Sequence, residues 1–445
     1  MRERHDGSTG IWAPGWKDTP YWLDGLDAPP DCAVALPPAV DVLVIGAGYT
    51  GLNAAIETAR GGRTTLVIDA AAPGAGCSTR NGGQISTSIK PSLAKLSAKY
   101  GEARARAIRA EGETALCWIE QRIAAESIDC GFNRVGRFHA AHSPAAYDRL
   151  AREAEDLTRQ EGIEAFAVPR SESRAELGSD AYHGGTVFPR HASLDPARFH
   201  RGLLAAVRAA GAQVVDHCAA LNVDRQVGGF EVTTEKGTVR ARDVVLATNG
   251  YTGGVLPWFR RRVIPIGSYV IATEPLPPEL MDRLFPKNRI ASDTRKVVYY
   301  YRASPDRRRV LFGGRVSASE TDPRQSGPRL FEDMCAIFPE LRGFRISHSW
   351  MGTVAYSFDE LAHTGVHDGV HFAMGYCGSG VSMASYLGMR VGQKVLGLRD
   401  GATAFDDLPF PTRPLYTGKP WFLPPVVAWY RWRDRMQHER ARAAR

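Results

Sequence analysis

The run Val42-Leu43-Val44-Ile45-Gly46-Ala47-Gly48-Tyr49-Thr50-Gly51 decides the fold of this chain. Its first four residues are all apolar, which is typical of a strand buried on both faces of a parallel sheet. The glycines that follow have the spacing G-x-G-x-x-G. In this pattern Gly46 permits a tight turn, Gly48 lets backbone approach a pyrophosphate, and Gly51 lets the next helix pack closely on the strand. The run therefore predicts a strand, a tight turn and a helix.

An acidic residue completes this unit. The helix stops at Gly61-Gly62, a second strand runs to Ile68, and Asp69 follows it, 18 residues after Gly51. A carboxylate in this place can accept hydrogen bonds from two ribose hydroxyls, and the helix N-terminus offers free N–H groups to phosphate. An acid here argues against a 2′-phosphate and therefore against NADP. In this setting the glycine pattern predicts a dinucleotide site.

Two later segments are predicted to make further contacts with the cofactor. Residues 243–249 form an apolar strand that leads into Thr248-Asn249-Gly250, and Gly375-Tyr376-Cys377-Gly378-Ser379-Gly380 opens another helix. The positive end of that helix would stabilise negative charge on a flavin ring. An NAD enzyme ordinarily carries one continuous N-terminal nucleotide domain, so the scattered segments favour FAD.

Composition and charge exclude several other classes. With 445 residues, 44% of them hydrophobic, the chain can bury a large core in two or three domains. The net charge is +8, but residues 429–445 alone supply +4 (six Arg against Asp434 and Glu439). This tail predicts a solvated terminal helix, with a membrane- or partner-binding helix as the alternative. The basic cluster at 307–309 lacks interleaved aromatic residues, so no nucleic-acid partner is expected.

Location and metal binding are predicted from what the sequence lacks. No apolar run is long enough to cross a bilayer and no secretory signal is visible, so we expect a cytoplasmic chain without a transmembrane segment. The seven cysteines are odd in number and never form C-x-x-C, which favours buried thiols. Cys377, before a helix start, is expected to have a lowered pKa. Glycines interrupt the spacing of His363, His367 and His371, so no metal is expected.

The run Gly74-Ala75-Gly76-Cys77-Ser78-Thr79-Arg80-Asn81-Gly82-Gly83-Gln84 is the most specific part of a wider resemblance. With the features above, it resembles the D-amino-acid-oxidase/glycine-oxidase superfamily of flavoproteins, and within it the bacterial gamma-glutamylputrescine oxidase-like branch. The resemblance extends from about Tyr21 to Met436. Its other supporting segments are Tyr21-Trp22, Ala247-Thr248-Asn249-Gly250-Tyr251, Ile271-Ala272-Thr273-Glu274-Pro275 and Phe312-Gly313-Gly314.

The resemblance implies an α/β (α+β) fold and non-covalently bound FAD. A Rossmann-like FAD-binding domain, discontinuous in sequence, would be interleaved with a β-rich substrate domain. The expected segments are an extended Pro-rich arm (1–40), the FAD-binding domain (41–90, about 190–255 and 345–400), the substrate domain (about 91–190 and 256–344), and a Pro-rich segment with a basic C-terminal helix (401–445).

The glycine motif and the resemblance together predict the cofactor site. By the resemblance, the loop at 78–83 contacts the pyrophosphate and leads to the isoalloxazine, while the strand near Ala220 touches adenine through its backbone. The predicted cofactor-binding residues are Gly46, Gly48, Tyr49, Thr50, Gly51, Asp69, Ala70, Ser78, Thr79, Arg80, Asn81, Gly82, Gly83, Gln84, Ala220, Ala247, Thr248, Asn249, Gly250, Gly352, Gly375, Gly378, Ser379, Gly380 and Val381.

Candidate substrate residues come from the same comparison with the family. Gln84 lies on the flavin side of its loop, and Arg315 and Trp350 lie where relatives line the site. Tyr299 and Tyr301 alternate with Tyr300 and so share one face of a predicted strand. An arginine at the site would suit a substrate carboxylate.

The resemblance implies oxidation of the C–N bond of an amine or amino acid. A hydride would pass to flavin N5, the imine would hydrolyse, and O2 would reoxidise the flavin to give H2O2. Leu311 stands where sarcosine-oxidase-like members carry a lysine used in oxygen activation, and Cys377-Gly378-Ser379-Gly380 replaces a Ser-Gly-His-Gly core. A dehydrogenase with a non-oxygen acceptor is therefore one alternative, and a non-catalytic dinucleotide-binding regulatory protein is another.

Overall fold

The structure is a computed structural model that describes residues 10–26, 35–314 and 322–443. Arg315, one of the predicted substrate residues, lies outside the described residues. The helices are α1 (Tyr49–Arg60), α2 (Leu93–Tyr100), α3 (Glu102–Ala125), α4 (Pro144–Asp156), α5 (Pro196–Ala209), α6 (Pro257–Arg260), α7 (Pro278–Leu284), α8 (Pro323–Ile337), α9 (Gly380–Val395) and α10 (Leu423–Ala443).

Nineteen strands are found in the described residues. They are β1 (Trp12–Lys17), β2 (Ala39–Ile45), β3 (Thr65–Ile68), β4 (Gln84–Ile85), β5 (Arg137–Ala140), β6 (Phe166–Pro169), β7 (Gly184–Phe188), β8 (Ala192–Ser193), β9 (Gln213–Val215), β10 (Ala220–Gln226), β11 (Gly229–Thr234), β12 (Gly237–Leu246), β13 (Ile264–Thr273), β14 (Ile290–Asp293), β15 (Tyr299–Ala303), β16 (Val310–Gly314), β17 (Ile346–Tyr356), β18 (His363–His367) and β19 (Val370–Met374).

The first sheet, here called the nucleotide sheet, is built on β2. Its strand order is β10-β11-β12-β2-β3-β9, with β19 also paired to β12 and β18 to β19. Strands β12, β2, β3 and β9 run parallel, in agreement with the continuous apolar runs of β2 and β3, which are buried. Helices α1, α5 and α9 contribute to the core on one face of this sheet. The predicted strand–turn–helix–strand unit is confirmed.

The second sheet, here called the mixed sheet, has nine strands in the order β1-β17-β13-β16-β15-β14-β5-β7-β6. Most neighbours are antiparallel, while the pairs β1/β17 and β14/β5 are parallel. On one side of the mixed sheet, side chains of its strands pack with α7 and α8 and form a separate hydrophobic core. The chain enters this sheet three times, so the two sheets are interleaved in sequence.

Three segments differ from the sequence-based boundaries. Residues 93–125 were assigned to the substrate domain, but α2 and α3 pack into the same core as α1, α5 and α9. Residues 10–26 were expected in an extended arm, but Trp12–Lys17 pairs with β17 as an edge strand. Residues 345–356 were assigned to the FAD-binding segment, but β17 pairs along its length with β13 in the mixed sheet. All three differences have one cause, because strand pairing and helix packing depend on distant partners that the local pattern does not reveal.

The C-terminal segment is helical, as its sequence predicts. Leu423 packs against Ile264, Ile266 and Tyr416, which fixes the start of α10 on the mixed sheet. Among the described residues, no helix is both long and apolar enough to cross a membrane.

Candidate cofactor and substrate site

A cavity of about 750 Å³ lies where the two sheets meet. This volume falls in the range of small-molecule and cofactor sites, about 300–1,000 Å³. Ile45, Ile68 and Leu246 bring the carboxyl ends of three parallel strands to its wall, the place where open α/β sheets bind ligands. The mixed sheet supplies the opposite wall through strands β13, β15 and β17.

Each glycine of the G-x-G-x-x-G motif is required by a close approach. Gly46 has a φ of +111°, and a Cβ there would lie 3.0 Å from the Ala247 carbonyl oxygen. A Cβ on Gly48 would lie 2.9 Å from Ser78 Oγ, and one on Gly51 would lie 1.9 Å from the Gly46 carbonyl oxygen. These contacts bring α1 onto β2 and bring a second loop against the turn.

Two helix N-termini face the cavity. Tyr49 and Thr50 at the start of α1, and Gly380 and Val381 at the start of α9, belong to its lining. The two helices pack so closely that a Cβ on Gly388 would lie 2.3 Å from the Thr50 carbonyl oxygen. Because a helix N-terminus carries partial positive charge, this arrangement favours an anionic group such as a diphosphate.

Asp69 lies at the end of β3 and lines the same cavity. Its Oδ2 accepts a hydrogen bond from Ala47 N (2.8 Å) and its Oδ1 accepts one from Ala71 N (3.0 Å). Burial raises the pKa of this carboxyl, while the two backbone donors act in the opposite direction. Each carboxylate oxygen can accept more than one bond, so Asp69 can still receive ribose hydroxyls.

The loop at 78–83 is held in place by two buried indoles. Trp350 Nε1 donates to the carbonyl oxygen of Arg80 (2.9 Å), and Trp22 Nε1 donates to the carbonyl oxygen of Asn81 (2.8 Å). Trp22 comes from the N-terminal segment and Trp350 from β17, and both side chains are buried. Consecutive carbonyls of the loop are therefore satisfied by donors outside the nucleotide sheet.

Arg302 fixes the end of the same loop. Its Nη1 donates to the carbonyl oxygens of Gly83 (3.0 Å) and Leu194 (2.9 Å). Burial lowers the pKa of Arg302 to about 10, so the guanidinium stays charged at neutral pH. Its hydrogen bonds are consequently of the stronger, charge-assisted kind.

Replacement of Trp350 tests this positioning. Trp350→Phe keeps an aromatic ring but leaves the Arg80 carbonyl without its donor, and we expect the free energy of unfolding to fall by about 1–3 kcal/mol. We also expect weaker FAD binding, because the loop loses its anchor. Urea unfolding and the FAD content of purified protein measure both. Trp421→Phe, at an exposed tryptophan, is the control; equal behaviour of the two variants would contradict the role of Trp350.

Most predicted cofactor residues line the cavity. Those in its lining are Gly46, Gly48, Tyr49, Thr50, Asp69, Ala70, Ser78, Arg80, Asn81, Gly82, Gln84, Ala220, Ala247, Thr248, Asn249, Gly352, Gly378, Ser379, Gly380 and Val381. The other predicted cofactor residues do not line the cavity: Gly51, Thr79, Gly83, Gly250 and Gly375. Thr79 Oγ1, for example, donates to the Gly74 carbonyl oxygen (2.6 Å), and Gly375 N donates to Asn249 Oδ1 (2.9 Å).

Only some of the predicted substrate residues line the cavity. Gln84 lines the cavity, and its Nε2 donates to the Tyr301 carbonyl oxygen (3.1 Å). Tyr301 itself lies in the core behind the mixed sheet, where its hydroxyl donates to Tyr182 (2.9 Å). Tyr300 faces the cavity instead, because side chains alternate along β15. Trp350 is buried behind the loop, in the anchoring position described above.

Arg137 is a site residue that the sequence reading missed. It stands at the start of β5 and lines the cavity, with Nε donating to Ser292 Oγ (2.8 Å) and Nη1 donating to Ser88 Oγ (3.4 Å). Its Nη2 contacts the same Ser292 hydroxyl and His139 Nδ1 (3.2 Å). Burial lowers its pKa to about 10, which leaves the guanidinium charged at neutral pH. Within the described part of the chain, no carboxylate forms an ion pair with it. The sequence signal that could have found it is the alternation of side chains along β5, which puts Arg137 and the buried Phe138 on opposite faces of the strand.

Lys90 adds a second positive charge to the same region. It also lines the cavity, and its segment is tied to the start of α9 by the bond from Ser379 Oγ to the Ser88 carbonyl oxygen (2.8 Å). Burial lowers the pKa of His139 well below its usual range, and the charges of Arg137 and Lys90 add to this effect. We call Arg137, Lys90, Ser88 and Ser292 the cationic corner.

The expected lowering of the Cys377 pKa is wrong. Burial raises the pKa of this thiol to about 11, and its Sγ donates to the Gly375 carbonyl oxygen (3.0 Å). The residue lies in the wall of the cavity as a neutral thiol, and the desolvation of the turn outweighs the nearby helix start.

Known proteins resemble the chain over most of its length. Residues 41–394 match the family model DAO, described as FAD dependent oxidoreductase. Gamma-glutamylputrescine oxidoreductase of Escherichia coli (strain K12) is 30% identical over 399 residues, which cover 89% of this chain and 93% of that protein. A probable oxidoreductase OrdL of Rhizobium meliloti (strain 1021) is 31% identical over 402 residues, or 89% and 92% of the two chains.

The fold is shared with a solved enzyme at lower identity. Glycine oxidase from Geobacillus kaustophilus superposes with a TM-score of 0.70 at 18% identity and covers 85% of this chain and 99% of that chain. The resemblance inferred from the sequence is thus confirmed.

The residues that surround the cavity fit FAD. Gly46 and Gly48 bring the backbone of the turn to the cavity surface, two helix N-termini face the cavity, and Asp69 offers carboxylate oxygens. The lining continues from Ala220, at the start of β10 in the nucleotide sheet, to Tyr300 and Arg137 in the mixed sheet. The cavity can therefore hold a dinucleotide at one end and leaves a polar, positively charged region at the other.

Proposed function

We propose, since this chain belongs to the DAO family of FAD-dependent oxidoreductases, that it oxidises the carbon–nitrogen bond of an amino acid whose carboxylate binds Arg137. The observation that carries the proposal is a charged guanidinium that lines the cavity and has no carboxylate partner in the described part of the chain. A guanidinium forms charge-assisted hydrogen bonds with a carboxylate, so an anionic substrate would supply the missing negative charge.

Arg137 would hold the substrate by its carboxylate and so fix the orientation of its amine. Bound FAD supplies a hydride acceptor for the carbon that carries the nitrogen. The hydroxyls of Tyr300 and Ser268, bonded to each other at 2.8 Å, line the same region and can contact the polar atoms of the substrate. Positioning of this kind turns a bimolecular encounter into an oriented, unimolecular step.

The positive charges also act on the amine. Only a neutral amine can release a hydride from its α-carbon readily, and nearby positive charge disfavours the ammonium form. Arg137 and Lys90 would therefore lower the pKa of a bound substrate amine. The same charges disfavour diamines, which carry positive charge and no carboxylate.

We propose oxygen as the electron acceptor, with a non-oxygen acceptor as the alternative. Leu311, at the position of the lysine of sarcosine-oxidase-like members, is buried away from the cavity lining. Lys90 supports the proposal because this exposed residue belongs to the cavity lining, with its Nζ 5.4 Å from the ring centroid of Tyr356, another lining residue. Its positive charge can stabilise the negative charge that oxygen acquires on reduction. A cytoplasmic location stays a prediction.

Lys90→Met tests the acceptor. We expect the rate of reoxidation by air to fall by about a hundredfold, the usual effect of removing one preorganised electrostatic group. Stopped-flow absorbance of the reduced protein mixed with aerated buffer measures it. Lys95→Met is the control, because Lys95 is an equally exposed lysine of the neighbouring helix that does not line the cavity. Reoxidation of Lys90→Met at the wild-type rate would contradict the role of Lys90, and slow reoxidation of the wild type by air would favour a non-oxygen acceptor.

One experiment tests the function itself. The purified protein should be yellow, with a flavin absorbance spectrum, and anaerobic addition of substrate should bleach it. A panel of amino acids, secondary amines and polyamine derivatives then identifies the substrate class, and we expect bleaching by members that carry a carboxylate. A colourless protein that does not bind FAD, or a yellow one bleached only by carboxylate-free diamines, would contradict the proposal.

A further inference from the structure

Helix α10 presents an apolar stripe to solvent. Its exposed residues recur with the spacing of one helical face and include Trp429 and Trp432, with 56% and 51% of their surface exposed. Trp421, just before the helix, is 65% exposed. The rings of Trp429 and Trp432 contact each other, with centroids 4.9 Å apart. The stripe begins just before the helix and consists of Trp421, Pro424, Pro425, Ala428, Trp429 and Trp432.

The stripe is not the face by which the helix packs on the protein. Leu423 and Val427, on the other side, are buried. Asp434 is buried as well, and its carboxylate accepts hydrogen bonds from Lys296 N (3.2 Å) and Val297 N (3.1 Å). These contacts hold α10 in one orientation, so the tryptophans remain outward. A surface helix normally turns its apolar side to the core and its charged side to water.

The charge of the same segment is strongly positive. Residues 429–445 contain six arginines and two acids, and one of these acids, Asp434, is engaged by backbone N–H groups. No member of the apolar stripe is acidic. A stripe of tryptophan next to a basic stretch is the composition of helices that lie in the interface of a membrane.

We propose that the apolar stripe of α10 docks on an anionic lipid surface, with the basic sequence after it providing electrostatic attraction. Tryptophan suits this location because its ring is apolar and its N–H is polar, which matches the headgroup region. A second copy of the chain fits less well. Symmetric pairing of two such stripes would bring two tails of +4 charge together, whereas negatively charged headgroups neutralise them. The docking is peripheral and inserts no helix across the bilayer.

Vesicle binding by the full-length, FAD-loaded protein tests the proposal. Phosphatidylcholine vesicles with and without about one-third phosphatidylglycerol are used in a sedimentation assay at low and high salt. We expect binding to be at least about tenfold tighter to the anionic vesicles, and to weaken at high salt. The double variant Trp429→Ser/Trp432→Ser should lose about tenfold or more of this affinity.

A matched variant separates docking from general surface hydrophobicity. Phe166→Ser removes an exposed aromatic residue from the edge strand β6 and should bind vesicles as the wild type does. All variants are compared at equal flavin absorbance, so loss of folding is visible directly. Absence of binding to anionic vesicles, or equal binding by the double variant, overturns the proposal. So does a concentration-dependent dimer that the double variant abolishes, because the stripe would then be an interface between copies.

Discussion

Arg137→Met should lower kcat/KM for amino-acid substrates by about a hundredfold or more. Removal of one partner of a buried, hydrogen-bonded charge pair costs about 2–5 kcal/mol, and about 3 kcal/mol corresponds to this factor. The stability of the protein should not fall with it, because the variant replaces a desolvated cation that lacks a carboxylate partner in the described residues. Steady-state kinetics and thermal unfolding of the FAD-loaded protein measure the two effects.

The control for Arg137 is another arginine in the same neighbourhood. Arg149 is exposed, and its charge also lowers the pKa of His139, but it does not line the cavity. Arg149→Met should therefore leave kcat/KM nearly unchanged. Titration of the flavin absorbance with propionate and with propionamide gives a second readout. Wild type should prefer the carboxylate to the amide, and Arg137→Met should lose this preference. A variant that binds FAD and still prefers propionate would contradict the role of Arg137.

Gly51→Ala should nearly abolish FAD binding. The added Cβ would lie 1.9 Å from the Gly46 carbonyl oxygen and 3.0 Å from a methyl group of Val44, so α1 would have to move away from β2. Overpacking of this kind costs about 1–3 kcal/mol or more, and here the obstacle is backbone. We expect the FAD content to fall by about tenfold or more and the unfolding midpoint to drop, as measured by absorbance and denaturant titration.

Gly343→Ala is the matched glycine control. Gly343 is exposed at the end of a short 3-10 helix, and a Cβ there would meet nothing within 4 Å. The Gly343→Ala variant should bind FAD as the wild type does and unfold at the same denaturant concentration. If Gly51→Ala behaved in the same way, the close approach of α1 to β2 would not be needed for the cofactor site.

The substrate end of the cavity was the least predictable part. Three tyrosines in succession show why, since Tyr299, Tyr300 and Tyr301 have the same chemistry and a strand exposes alternate residues to each face. Sequence alone could assign Tyr299 and Tyr301 to a common face but could not say which face met the cavity. Pairing of β15 between β14 and β16 decided it, and Tyr300 faces the cavity.

The sequence by itself determined the cofactor end of this protein. G-x-G-x-x-G, its apolar strand and Asp69 act over about thirty residues, and the turn, the helix start and the acid follow from local sterics and hydrogen bonding. Only the tertiary structure decided which side chains form the substrate end of the cavity and which ones hold the loop at 78–83. Arg137 reaches the cavity because β5 pairs with β14, and Trp22 and Trp350 reach the loop at 78–83 from distant segments. The physical reason is that long-range strand pairing and burial select which side chains share a cavity, and neither leaves a periodic signal in the local sequence.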